Sequence, residues 1–439
     1  MRNTPIPYEA VERRITESKI GNVGTASIRE IKRLIDLIEQ DTGEKFIRME
    51  MGIPGLAPVQ IGIDAEKEAL DRGMPAIYPD IYGNVELKKE ISRFVKLFLN
   101  ISVDPEGCIP TVGSMQGSFA SFLTLNRMYK ERGGTLFLDP GFPVHKQQVR
   151  ILGQDHWAFD VYNYRGEKLR DKLEEFLSTG KVTSILYSNP NNPSWICFTE
   201  RELKIIGELA TKYNVVVIED LAYFGMDFRK DYSQPGEPPY QPTVANYTDK
   251  YILLISSSKV FSYAGQRIGM MVISDKLFEV EAPDLLRFYR FSKVGQAMIY
   301  GTVYALSSGT AHTPQFALCA ILKAANDGKF NFVEEVKEYG YKAEIMKKLF
   351  TDNGFRIVYD KDENAPIAHG FYFTFSYPGF SGDELLKEML FYGISAISLA
   401  ITGSERLEGI RACVSLVRRE QFSALEYRLK RFHEDHPIA

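Results

Sequence analysis

Cysteine is scarce in this chain, and that scarcity already narrows its chemistry. The four cysteines, Cys108, Cys197, Cys319 and Cys413, are scattered without a Cys-x-x-Cys pair. The spacing gives neither a disulfide framework nor a cysteine-rich zinc site, and it suits buried thiols in a reducing compartment. Histidine is nearly as thin, with six in all. Only His433 and His436 fall close together, in the charged tail His433-Glu434-Asp435-His436, which reads as a solvated helix end and not as a metal site. No apolar run approaches the roughly 18 to 20 residues that span a bilayer. The opening residues Met1-Arg2-Asn3-Thr4-Pro5-Ile6-Pro7 lack the apolar stretch of a secretory signal. The expected location is therefore cytoplasmic, with no membrane partner. An excess of one charge is missing as well: 53 basic residues stand against 57 acidic ones, a formal net of -4. Such a balance creates no broad field for nucleic acid or an anionic surface, so a small anionic ligand needs a local site.

What is present is length and apolar content. A chain of 439 residues that is 44% hydrophobic buries a large core and spans two or three domain-sized units. Its middle alternates short apolar runs with longer amphipathic ones, the pattern of a parallel sheet covered by helices. Strands are expected at Thr135 to Leu138, Val182 to Tyr187, Val215 to Ile218, Tyr251 to Ile255 and Ile268 to Ile273. Between two of them, Glu200 to Tyr213 places Leu203, Ile206 and Leu209 about a helical turn apart, with Thr199 as N-cap. Past residue 325 a charged helical stretch from Val333 to Phe350 precedes strand-like segments at Phe355 to Tyr359 and Gly370 to Ser376. A smaller α+β domain is expected there, and the strand and turn of Lys45 to Pro58 should return to pack on it. The expected division is residues 1–60, 61–325 and 326–439. Four prolines between Asp231 and Pro242 mark an exposed loop.

Four segments carry chemical character. Ser256-Ser257-Ser258-Lys259 follows an apolar strand directly and leads to Gly265, Arg267 and Gly269. A lysine at the carboxyl end of a buried strand sits at the crevice where α/β sheets bind ligands. Taken alone, a lysine there more often snorkels to solvent, but the serine hydroxyls and Arg267 beside it form a compact anion site. Gly113-Ser114-Met115 opens an apolar helix-like run, and exposed N–H groups at a helix start attract phosphate; taken alone, an ordinary helix start is the better explanation. Glu219-Asp220-Leu221-Ala222-Tyr223 ends a strand with acids, which is a ligand contact or a helix cap. Asn189-Pro190-Asn191-Asn192-Pro193 is by itself a turn.

Together, in order and spacing, these segments resemble the fold-type I aminotransferases of class I and II. That family shows Ser-x-Ser-Lys followed by Gly-x-Arg-x-Gly, and Ser256, Ser258, Lys259, Gly265, Arg267 and Gly269 match each position. The likeness runs from about Arg48 to Val414. It implies a larger α/β domain with a mostly parallel seven-stranded sheet between helices, plus a smaller α+β domain. It also implies pyridoxal 5'-phosphate (PLP) as cofactor, with Lys259 as the Schiff-base lysine, which as a freed amine also moves the substrate proton. By the same resemblance Asp220 faces the pyridine nitrogen, and Tyr223 and Asn192 face the phenolic oxygen. Ser256, Ser258 and Arg267 hold the phosphate with the backbone of Gly113, Ser114 and Met115, and Phe142 stacks on the ring. Arg411 clamps the substrate carboxylate, with Gly52 as the small residue over the substrate. Tyr78 reaches the phosphate of a neighbouring subunit, which implies a homodimer with shared sites. The substrates implied are an L-amino acid and a 2-oxo acid.

Two departures stand out. The family's Asn-Pro run continues Thr-Gly, whereas this chain continues Ser194-Trp195, so a bulky indole replaces a glycine. No second arginine aligns for a dicarboxylate side chain, because Arg287, Arg290 and Lys293 read as a solvated helix face. The runner-up activities are a lyase, decarboxylase or synthase on the same scaffold, or a PLP-binding regulator without turnover.

Overall fold

The computed structural model describes residues 4–438. Each expected central strand is present: Gly134–Asp139, Val182–Ser188, Val216–Leu221, Tyr251–Ser256 and Gly269–Ile273. All are buried along their whole length, because both faces of the sheet are covered. The period of two sends alternate side chains to two separate cores. Leu136, Ile185, Val217, Leu253 and Met270 belong to one, while Phe137, Leu186, Ile218, Leu254 and Met271 belong to the other.

Two further strands complete a seven-stranded sheet. In spatial order it runs Cys108–Thr111, Gly269–Ile273, Tyr251–Ser256, Val216–Leu221, Val182–Ser188, Gly134–Asp139 and His156–Asp160. Only Gly269–Ile273 pairs antiparallel with its neighbours; the remaining pairings are parallel. The two strands that the apolar pattern does not announce are the edges. Cys108–Thr111 carries Pro110, which is tolerated where one side needs no partner. His156–Asp160 is only half-buried at its first residues.

The helix Glu200–Lys212 begins with a complete capping box between Thr199 and Glu202. The stretch expected as one helix from Val333 to Phe350 is two, Phe332–Val336 and Glu338–Asp352. Asn331 caps the first through the backbone N–H groups of Val333 and Glu334.

The smaller α+β domain contains a four-stranded sheet in the order Ile397–Ser398, Ile410–Cys413, Tyr372–Ser376 and Arg356–Ile357. Ile47–Arg48 pairs in parallel with Ile394–Ser395, so the early segment does return to this part of the chain. Glu50 fixes that return: its buried carboxylate meets Arg48 at 2.6 Å and the Ser395 hydroxyl at 2.5 Å.

Candidate active site

The carboxyl ends of Val216–Leu221 and Tyr251–Ser256 open on a cavity of about 480 Å³, which the segments following Cys108–Thr111, Gly134–Asp139 and Val182–Ser188 also line, the place where open α/β sheets collect ligands. Asp220 comes from the end of Val216–Leu221. Ser256 ends Tyr251–Ser256, and Ser258 and Lys259 sit on the single turn Ser257–Val260 that follows. Alternation along the strand decides which of two adjacent acids faces the cavity. Asp220 lines it, while Glu219 points into the opposite core and accepts from the Thr243 hydroxyl and the Val244 N–H.

One wall gathers groups that are able to hold an anion. The helix Gly113–Leu125 starts without a side-chain cap, leaving its first N–H groups available. Gly113 has φ 64°, and a Cβ there would lie 2.5 Å from Arg267 Nη2, so glycine is required for this approach. Ser114 and Met115 line the cavity with Ser256, Ser258 and Arg267. Ser256 Oγ accepts from the Ser258 N–H, whereas Ser257 turns away and donates to Ile268 O. Arg267 is steadied by donation to Ala264 O at 2.8 Å.

Arg411, from the small-domain strand Ile410–Cys413, lines the same cavity. Arg411 is buried, with Nη1 3.2 Å from Asn192 Oδ1 and Nη2 2.6 Å from Glu50 O. Its Nε has no hydrogen-bond partner, an orphan donor that a substrate carboxylate would satisfy. Phe142 and Gly52 line the same cavity. Tyr78 does not: it is 88% exposed on the surface.

Burial sets the electrostatics. It pushes the Asp220 carboxyl up to about 7, against the Ala222 N–H and the positive charge of Lys259. Burial also lowers the Lys259 ammonium to about 8, and the nearby charges of Arg267 and Arg411 act in the same direction. A lysine near 8 exchanges protons close to neutrality. An acid held against its ionisation is a site for a cation, and a protonated pyridine nitrogen is one. The glycine cradle beside Arg267, the uncapped helix start and the orphaned Arg411 Nε fit PLP with an amino-acid substrate.

Three contacts are absent from the sequence reading. His145 Nε2 lies 3.8 Å from Asp220 Oδ2, and its ring meets Phe142 edge-on at 5.5 Å. Burial lowers it to about 4, so it stands neutral behind the acid. Its only sequence signal is the spacing of one helical turn from Phe142 on Pro143–Ile151. Tyr372 reaches in from the small-domain sheet and accepts a hydrogen bond from Tyr223 at 2.9 Å. Trp195 is fully buried at φ 65° and packs against both tyrosine rings.

Known proteins share this architecture. The chain is 26% identical over 354 residues to a "Probable aspartate aminotransferase" of Methanocaldococcus jannaschii, covering 76% of this chain and 88% of that protein. It is 25% identical over 370 residues to the (5-formylfuran-3-yl)methyl phosphate transaminase of the same organism, covering 84% and 86%. An aspartate aminotransferase structure from Thermotoga maritima superposes with a TM-score of 0.75 at 17% identity, over 96% of this chain and 99% of that one. The family described as aminotransferase class I and II matches residues 44–359. That match spans well over half of the sequence, and the chain therefore belongs to the class I and II aminotransferases and is a PLP-dependent aminotransferase.

Proposed function

We propose that Lys259 carries the cofactor as a Schiff base and that the donor is an L-amino acid with an uncharged side chain. The observation that supports this most is the convergence of Lys259, Asp220, Arg267 and Arg411 on one cavity. PLP, when bound, supplies the electron sink that spreads the charge left by a departing α-proton. The chain's own residues do the rest. Ser256, Ser258, Arg267 and the helix start at Gly113 to Met115 hold the phosphate. Asp220, raised to about 7 by burial, would be ionised by a positive ring nitrogen placed against it and would in turn keep that nitrogen protonated. Tyr223 and Asn192 bind the phenolic oxygen, and Phe142 covers the ring. Arg411 fixes the substrate carboxylate, which places the α-hydrogen toward Lys259. The amine of Lys259, near 8 without cofactor, would serve as the base and acid that holds and moves that proton.

The cations lining the cavity are Lys259, Arg267 and Arg411, and each is committed. Ile28, Met51 and Ile53 line the remaining space and suit an apolar substituent. Arg287, Arg290 and Lys293 do not line it; Lys293 pairs with Glu279. Exposed Ile77, Tyr78 and Tyr304, on segments joined through Gly309 and Asp80, support a homodimer in which Tyr78 completes the partner's phosphate site. The separate seven-stranded and four-stranded sheets support a larger and a smaller domain, with the divisions near residues 60 and 326. Four free thiols favour a cytoplasmic setting, and no helix among the described residues is long and apolar enough to cross a membrane.

The test is the visible spectrum with a panel of L-amino acids. The expected result is a yellow band bleached by uncharged donors and restored by a 2-oxo acid. Retention of the same band in Lys259→Ala would overturn the assignment of that lysine. Preferential bleaching by aspartate would overturn the donor class.

A further inference from the structure

The phenol of Tyr372 stands at the junction of the two working halves of the site. Its oxygen lies 2.9 Å from Tyr223 Oη, and its ring lies under the Arg411 guanidinium, with Cζ 4.4 Å from the ring centroid. Space is cleared for it. A Cβ on Gly52 would fall 2.0 Å from the Tyr372 hydroxyl, so the residue over the substrate must be glycine for this phenol to reach Tyr223. From the other side Trp195 presses edge-on against Tyr223 at 5.3 Å and Tyr372 at 6.2 Å. The indole fits because position 370 lacks a side chain: a Cβ there would lie 2.0 Å from the ring.

We propose that Tyr372 is a positioning residue that couples the cofactor-facing phenol of Tyr223 to the carboxylate clamp Arg411, held in place by Trp195 packed into the gap at Gly370. The proposal rests on the roles given above to Tyr223 and Arg411. A hydroxyl has one hydrogen to give. When Tyr223 gives its own to the cofactor's phenolic oxygen, the Tyr372 hydroxyl turns to donate to Tyr223. Hydrogen bonds in series polarise one another, so this second donation strengthens the first and holds negative charge on the cofactor oxygen. The proton on the neighbouring Schiff-base nitrogen is then released at lower pH. The ring of Tyr372 acts separately, as the aromatic platform that keeps the Arg411 plane aimed at the substrate.

Two substitutions in the holoenzyme separate these contributions. Tyr372→Phe keeps the platform and deletes the hydroxyl. The pH midpoint of the visible band should rise by about half a unit, with less than a twofold change in the dissociation constant of a substrate-like carboxylate such as 2-methyl-aspartate or 2-methyl-alanine. Tyr372→Leu deletes both, and binding of that carboxylate should weaken about three- to tenfold. An unchanged midpoint in Tyr372→Phe would overturn the coupling, and that variant loses a single oxygen and so keeps the test open if Tyr372→Leu fails to fold. Tyr223→Phe serves as the reference. If Tyr223→Phe also leaves the midpoint unmoved, the assignment of Tyr223 to the cofactor oxygen fails instead.

Discussion

Trp195 and Gly370 should behave as one unit in a double-mutant cycle. A methyl group at position 370 would lie 2.0 to 2.2 Å from three atoms of the Trp195 indole, and that indole is fully buried. Gly370 itself does not have a positive φ, so the cost of Gly370→Ala is steric and not conformational. Overpacking of this kind costs about 1–3 kcal/mol, and the upper half applies where a rigid ring has nowhere to go. Trp195→Gly removes a buried indole at about 3–5 kcal/mol. It recovers about 1 kcal/mol because a Cβ at φ 65° is relieved. In the double variant the methyl group introduced at position 370 enters the space the indole left. The second substitution then costs nothing or stabilises by a fraction of a kcal/mol. The coupling energy is therefore about 2–3 kcal/mol, large for a pair of residues. Thermal midpoints of the cofactor-free protein at one fixed concentration would read it, at about 1–2 °C per kcal/mol in a chain of this length. Additive midpoint losses would refute the reasoning. Trp195 and Trp157 are the only tryptophans, so in a Trp157→Phe background Gly370→Ala should also shift the emission of the displaced indole.

Further outcomes follow from the site. Burial lifts the Asp220 carboxyl from its ordinary 3.8 to about 7, so the folded protein holds this proton more tightly than the unfolded chain does. Its contribution is present in full below about pH 4 and is lost as pH rises toward 7. The cofactor-free protein should lose a few kcal/mol over that window through this residue, and Asp220→Asn should show a flatter midpoint against pH; parallel curves would contradict this. Arg411→Lys replaces a planar fork by a point charge and should lower kcat/KM about 10- to 100-fold, mainly through KM. Equilibrium sedimentation should give twice the chain mass. Mixing Lys259→Ala with Tyr78→Phe chains should then yield hybrids in which one site carries both lesions and the other neither, with partial recovery of activity; no recovery would count against a shared site.

The central strands were legible because burial on both faces makes them nearly continuous apolar runs, and every expected one is present within a few residues. The edges escaped the same logic. Cys108–Thr111 interrupts its run with Pro110, and His156–Asp160 leaves half its side chains toward water, so neither carries the signal of a buried strand. The break between Phe332–Val336 and Glu338–Asp352 falls at the single residue Lys337, whose backbone stays in the right-handed helical region, so the side-chain pattern runs on across it.

The site divides along a similar line. Lys259, Asp220, Arg267 and Gly113 stood out in the sequence because their segments match a family motif in order and spacing, although each segment taken alone has an ordinary structural explanation. Tyr372 lies 149 residues from the phenol it touches, inside a strand whose aromatic run looks like ordinary core. Trp195 announced itself only as a misfit, a bulky residue where the related motif has glycine. The structure gives the misfit its room at position 370, where a Cβ would lie 2.0 Å from the indole. No local pattern carries that pairing, since neither residue is explicable without the other. Gly52 and Tyr372 repeat the arrangement on the opposite side of the same phenol. Two glycines from distant segments thus make room for two aromatic side chains, and Arg411 and the Tyr223 phenol come to share Tyr372 as a neighbour. Asn192, three residues before Trp195, meets the Arg411 side of the same cluster at 3.2 Å.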